Sequence, residues 1–88
     1  MDREKALRIF HETGALLEGH FLLTSGLHSP QYFQCALVLQ YPKYAELFAG
    51  EIVRQFAGQE IDVVIAPAIG GIVVSQEVGR QLGVRAIW

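Results

Sequence analysis

Residues 66–71, Ala-Pro-Ala-Ile-Gly-Gly, hold the clearest chemical possibility in this chain. Val63, Val64, Ile65 and Ala66 form an apolar run rich in β-branching, which reads as a strand buried on both faces inside a parallel sheet. Pro67 ends the strand, Gly70 and Gly71 free the backbone, and a helical pattern begins at once. A turn of this kind points bare amide N–H groups past the strand end, where anions bind. The chemistry on offer is a phosphate or diphosphate cradle built from backbone donors. The helix dipole alone favours an anion by roughly 0.3–1 kcal/mol, so cations or a metal from elsewhere must add to it. The turn has neither the Gly-x-Gly-x-x-Gly spacing of a dinucleotide site nor the Lys-Ser/Thr pair of a P-loop. A tight strand-to-helix crossover with no ligand explains the same glycines, and pattern alone leaves both readings open.

A second candidate runs from Phe21 to Phe33. Tyr32 and Phe33 are adjacent, so in a strand they point to opposite faces; one can enter the core while the other stacks on a planar ligand. Thr24, Ser25 and Gly26 offer hydroxyls and amides suited to a small polar ring, or form an ordinary turn. The three histidines, His11, His20 and His28, make no His-x-x-x-His pair and have no metal-ligand spacing to Cys35. Ser25, Ser29 and Ser75 all lack a nucleophile-elbow context. Arg80 and Arg85 flank the last helical segment and read as solvated.

The elements that must position these groups follow from capping and periodicity. Asp2 caps a first helix with Ala6, Leu7 and Phe10 at helical spacing, and Gly14 stops it. Leu16, Leu17, Phe21, Leu22 and Leu23 read as one or two short strands broken at Gly19, residues 24–30 as a turn, and Gln31 to Cys35 as the return strand. A second helix runs from Pro42 to Gly58, with Ala45, Phe48, Ile52 and Phe56 on its apolar stripe and Lys43, Glu46, Arg54 and Gln55 facing solvent. The strand from Ile61 to Ala66 follows, then the glycine turn and a third helix to about Leu82. Gly71, Ser75, Gly79 and Gly83 recur every four residues beside the row Val74, Val78 and Leu82, so this helix can press closely on a sheet. Val84 to Trp88 reads as a further strand. The order indicates an α/β core preceded by a small α+β subdomain, with the division near residue 40.

Composition sets outer limits. Of 88 residues, 51% are hydrophobic, which excludes disorder and demands a core. Seven basic against nine acidic residues, with no basic cluster, give no nucleic-acid footprint. No apolar run approaches membrane-spanning length, and the opening Met-Asp-Arg-Glu-Lys is unlike a secretory signal. Cys35 is alone and can form no internal disulfide, so a reducing cytoplasm is the expected setting. One βαβ unit cannot cover both faces of a parallel sheet. The chain is therefore expected to be the front part of a longer protein, and residues 1–88 alone are expected to lack a cooperative unfolding transition.

Together, the run Phe21-x-Leu23-x-Ser25-Gly26-x-x-Ser29-Pro30-x-Tyr32-Phe33 resembles the N-terminal signature of orotate phosphoribosyltransferases. Ala66-Pro67-Ala68-Ile69-Gly70-Gly71-Ile72 is similar to the diphosphate-binding loop of the same family. The resemblance covers nearly the whole chain. It implies an N-terminal α+β hood over residues 1–40, followed over 41–88 by the start of a parallel, Rossmann-like phosphoribosyltransferase sheet that is incomplete in this chain. It further implies transfer of ribose 5-phosphate from phosphoribosyl diphosphate to orotate, giving orotidine 5′-phosphate and diphosphate in pyrimidine nucleotide synthesis. Mg²⁺ is expected on the donor, with a homodimer as the working unit. By that likeness Thr24, Ser25, Gly26, Tyr32 and Phe33 fall where the orotate ring and hood contacts lie, and Ala68, Ile69, Gly70 and Gly71 where the diphosphate is held.

Two departures stand out. Many members of that family carry a lysine where this chain has Thr24, and another where it has Gly70. The family's basic mobile loop and its acidic-pair ribose-phosphate motif have no counterpart within the 88 residues. The catalytic residues are therefore expected beyond Trp88, and the 88 residues alone are expected to be inactive. The rival readings are a phosphoribosyltransferase for another base and a non-catalytic ligand sensor on the same fold. A generic nucleotide-binding α/β domain is disfavoured because both standard glycine fingerprints are missing.

Overall fold

A computed structural model describes residues 1–22 and 28–88, with backbone alone over 17–22 and 28–33. The chain divides into two compact units, Met1–Val38 and Leu39–Trp88.

The first unit opens with α1 (Arg3–Glu12), where the Asp2 carboxylate accepts the Lys5 amide at 2.8 Å and satisfies one otherwise orphaned donor. Gly14 follows the helix at φ 76°. Strand β1 (Leu16–Leu22) pairs antiparallel with β2 (His28–Phe33), running from Leu16 opposite Phe33 to Leu22 opposite His28. The register shifts between Glu18 and Phe21, so the expected break at Gly19 is an irregularity within one strand. Ile9, Ala15, Leu16 and Val38 are buried and close this unit.

The expected return strand through Cys35 is corrected here. β2 begins at His28, inside the expected turn, and ends at Phe33; Cys35 instead starts a short helix, α2 (Cys35–Leu39). The run Cys-Ala-Leu-Val-Leu is uniformly apolar, so its periodicity could not separate helix from strand.

The second unit begins with α3 (Pro42–Gln55), with proline in its first turn, where a missing N–H costs nothing. The helix ends three residues before Gly58, at a Phe56 cap, and Gly58 serves the turn that follows. Strand β3 (Val63–Ile65), helix α4 (Ile72–Leu82) and strand β4 (Arg85–Ile87) form a βαβ unit, with Val63, Val64 and Ile65 paired in parallel to Arg85, Ala86 and Ile87.

Helix α4 lies close on that sheet. A Cβ at Gly79 would come within 2.9 Å of the Ala86 Cβ and 3.1 Å of the Val84 carbonyl, so the small stripe does bring backbone against backbone. Gly83 ends the helix in the left-handed region at φ 72°. Helix α3 packs on α4 through buried Ala45 and Ala49 on one side and Val78 on the other.

Strand β3 is not buried on both faces, contrary to expectation. Ala86 meets α4, and Val64 shares its register; Val63 and Ile65 alternate to the other face and are 37% and 71% exposed. The composition of a parallel strand reports the burial a full sheet would give it, and β3 has a single strand neighbour among the described residues. An apolar groove of about 290 Å³ is lined by all three residues of β3 together with Ile52 and Phe56 near α3 and Val78 of α4.

Candidate functional site

The loop between β3 and α4 leaves the C-terminal end of its strand, where open α/β sheets bind their ligands. It is held by short backbone bonds. The Ala66 amide donates to the Ile87 carbonyl at 3.2 Å, the Gly71 amide to Pro67 at 2.9 Å, and the Ile72 amide to Ile69 at 3.1 Å. The Ala68–Ile69 peptide is cis.

These bonds divide the donors. The Gly71 N–H is spent on closing the turn. The amides of Ala68, Ile69 and Gly70, and those of Val73 and Val74 in the first turn of α4, find no acceptor among the described residues. Ala68 and Gly70 are exposed, and Ile69 is 84% exposed. Helix α4 has Gly71 at its N-cap and no side chain capping it. A row of open N–H groups at a helix N-terminus is a donor set for an anion.

The two glycines have different duties. A Cβ on Gly71 would lie 2.7 Å from the Pro67 carbonyl oxygen and 2.8 Å from the Ala66 Cβ, so only glycine fits this turn. A Cβ on Gly70 would meet nothing within 4 Å.

Of the other predicted residues, Thr24, Ser25 and Gly26 lie outside the described residues. Tyr32 and Phe33 are on β2 opposite Leu17 and Leu16, in the segment described by its backbone alone. His11 is exposed on α1. The described residues contain no group of three His, Cys, Asp or Glu able to hold a metal ion, and the loop offers donors rather than ligands, so they do not fit a resident Mg²⁺.

Sequence reasoning missed two things. The open amides of Val73 and Val74 depend on where the turn closes, which periodicity cannot report. Ser75 is only 2% exposed, and its hydroxyl stands 3.4 Å from the Ile87 carbonyl. The available signal was a polar residue placed in the small stripe of an otherwise apolar helix face.

Away from the loop, Arg80 donates to Glu77 one turn earlier, through Nε at 2.9 Å, and reaches Glu46 on α3 at 3.3 Å. Gln81 Nε2 donates to the Glu46 carbonyl at 3.0 Å and to Glu77 at 3.2 Å. Hydrogen bonds from Arg80 and then Gln81 hold the Glu77 carboxyl below the usual glutamate range, and the Glu77 carboxylate raises Arg80. Arg80 is thus committed to the helix pair.

No family model matches the chain. Curated relatives do. An orotate phosphoribosyltransferase of Pelotomaculum thermopropionicum is 59% identical over all 88 residues, which make up 46% of that relative. One from Chlorobaculum parvum is 58% identical and one from Thermoanaerobacter 54%, with the same coverage. Over its whole length the chain is similar to the N-terminal part of these orotate phosphoribosyltransferases. It spans just under half the length of these relatives. Two solved structures share the fold of this chain. A UMP synthase of Leishmania donovani superposes with a TM-score of 0.81 at 19% identity, over 91% of this chain and 18% of that one. An orotate phosphoribosyltransferase of Francisella tularensis gives 0.66 at 17% identity, over 99% of this chain and 46% of that one. The chain therefore has the mixed helix-and-strand fold of the matching segments of these two structures, with a two-stranded parallel sheet.

Proposed function

We propose that this chain supplies the base-side hood and the diphosphate loop of an enzyme that transfers ribose 5-phosphate from phosphoribosyl diphosphate to orotate. The products are orotidine 5′-phosphate and diphosphate, in the synthesis of UMP. The observation that carries this reading is the 50–59% identity over all 88 residues to curated orotate phosphoribosyltransferases.

In this reading the amides of Ala68, Ile69 and Gly70 face the diphosphate of the donor, and Gly71 makes the turn tight enough to present them. As the diphosphate leaves, positive charge grows on the ribose ring and negative charge on the departing group. N–H dipoles fixed in advance stabilise that anion without reorganising during the reaction. Thr24, Ser25, Gly26, Tyr32 and Phe33 contact orotate, with Thr24 giving one hydrogen bond where a lysine would give charge. Magnesium belongs to the donor substrate and arrives held mainly through phosphoribosyl diphosphate. A cytoplasmic homodimer is the working form, and residues beyond Trp88 supply the ribose-phosphate contacts and the catalytic groups.

The test uses the enzyme at the length of its relatives, supplied with Mg²⁺, phosphoribosyl diphosphate and orotate. Diphosphate release coupled to loss of orotate is the expected result. Reaction with purine bases while orotate is ignored would replace this reading with that of another phosphoribosyltransferase.

A further inference from the structure

Ser75 is the one buried polar side chain among the described residues outside 17–33, and it sits one helical turn past the loop. Its Oγ donates to the Ile87 carbonyl, the same oxygen that accepts the Ala66 amide at 3.2 Å. Its own amide donates to the Gly71 carbonyl at 2.9 Å, and the Gly71 amide donates to Pro67 at 2.9 Å. These bonds form a closed circuit. It leaves Ile87 through Ala66 to Pro67, crosses to Gly71, passes to Ser75 and returns to Ile87. Both the entry and the exit of the loop are thereby fastened to one carbonyl at the C-terminal end of β4. The open amides of Ala68, Ile69 and Gly70 lie on the arc between the two fastenings.

We propose that Ser75 is a positioning residue for the diphosphate loop, setting the exit of the loop against its entry through the shared Ile87 carbonyl. The inference rests on the reading of this loop as the diphosphate site. Three observations make the hydroxyl, rather than mere smallness, the operative feature. Ala would satisfy the packing constraint of the small stripe. A buried hydroxyl needs an acceptor. The acceptor it has is the one already engaged by the far end of the loop. At 3.4 Å the bond is longer than the usual range of about 2.5–3.0 Å for a hydroxyl donor, so its contribution to fold stability is small.

The experiment compares wild type, Ser75→Ala and Ser75→Cys in the enzyme at the length of its relatives. Expected for Ser75→Ala is a KM for phosphoribosyl diphosphate raised on the order of tenfold, with the KM for orotate and the Tm little changed. Calorimetry with inorganic diphosphate should show the same loss in affinity. Ser75→Cys, close in size and a weak donor, should fall between. Unchanged diphosphate affinity and donor KM in both variants overturn the inference, as does a rise in both KM values that tracks a fall in Tm. A wild type that binds no diphosphate and releases none from the donor sinks the functional reading itself, which separates the two failures.

Discussion

The two ends of α4 are built to opposite rules. At the N-terminus, Gly71 offers no capping side chain, and five nearby amides stand without acceptors among the described residues. At the C-terminus, hydrogen bonds close the chain back on the helix. The amides of Gly83 and Val84 both return to the Gly79 carbonyl, and Arg80, Glu77, Gln81 and Glu46 bind one another across α3 and α4. One helix thus leaves polar backbone available at its N-terminal end and commits its side-chain charge to structure at the other. Any hold of the loop on an anion must come from its backbone donors, because the cation of this helix, Arg80, is engaged with Glu77 and Glu46.

The sharpest way to break this contrast is Gly71→Ala. Its Cβ would meet backbone at 2.7 Å, so the turn must open. Overpacking of this kind costs about 1–3 kcal/mol. Displacement of the loop amides should cut kcat/KM for phosphoribosyl diphosphate on the order of 100-fold, measured by steady-state kinetics beside a denaturant curve. A variant with normal kinetics would show that the tight turn is incidental to the site.

Gly70→Lys sharpens the contrast by adding the charge the loop lacks. The position has open space, so stability should change by less than about 0.5 kcal/mol. The KM for phosphoribosyl diphosphate should fall by about 1.5- to 5-fold, a gain that shrinks as salt is raised. A KM that does not respond to the new charge would place the diphosphate away from residue 70.

The smallest effect belongs to the closed end. Glu77→Gln removes the partner of Arg80 and Gln81 and should lower the Tm slightly at neutral pH, with donor KM unmoved. The folded pKa of Glu77 lies below its ordinary value of 4.5, so its contribution is full above that value and is lost as the pH falls through the lowered one. The Tm gap between wild type and variant should therefore close on acidification. A gap that widens in acid would mean that Glu77 is not held by these bonds.

Much of this architecture was legible in the chain itself, and the gaps have physical causes. The Asp2 cap, the Pro42 start, the Gly83 stop and the close-packing stripe through Gly79 are local signals, and each appears where the pattern put it. Helix α2 was hidden because five apolar residues in a row carry no period. The exposure of Val63 and Ile65 was hidden because a β-branched apolar run carries no sign of how many strands will flank it. At the site, two glycines announced a turn, yet nothing in the sequence distinguishes Gly71, which has no room, from Gly70, which has plenty. That difference depends on how the turn folds Gly71 back onto Pro67 and Ala66, and the link from Ser75 to Ile87 exists only once residues twelve apart are brought together.

The contact of Gly79 with Ala86 has a mechanical consequence. Only the Ala86 methyl lies between Gly79 and the strand, so α4 has little room to slide or roll over β4 before its backbone meets that methyl or the Val84 carbonyl.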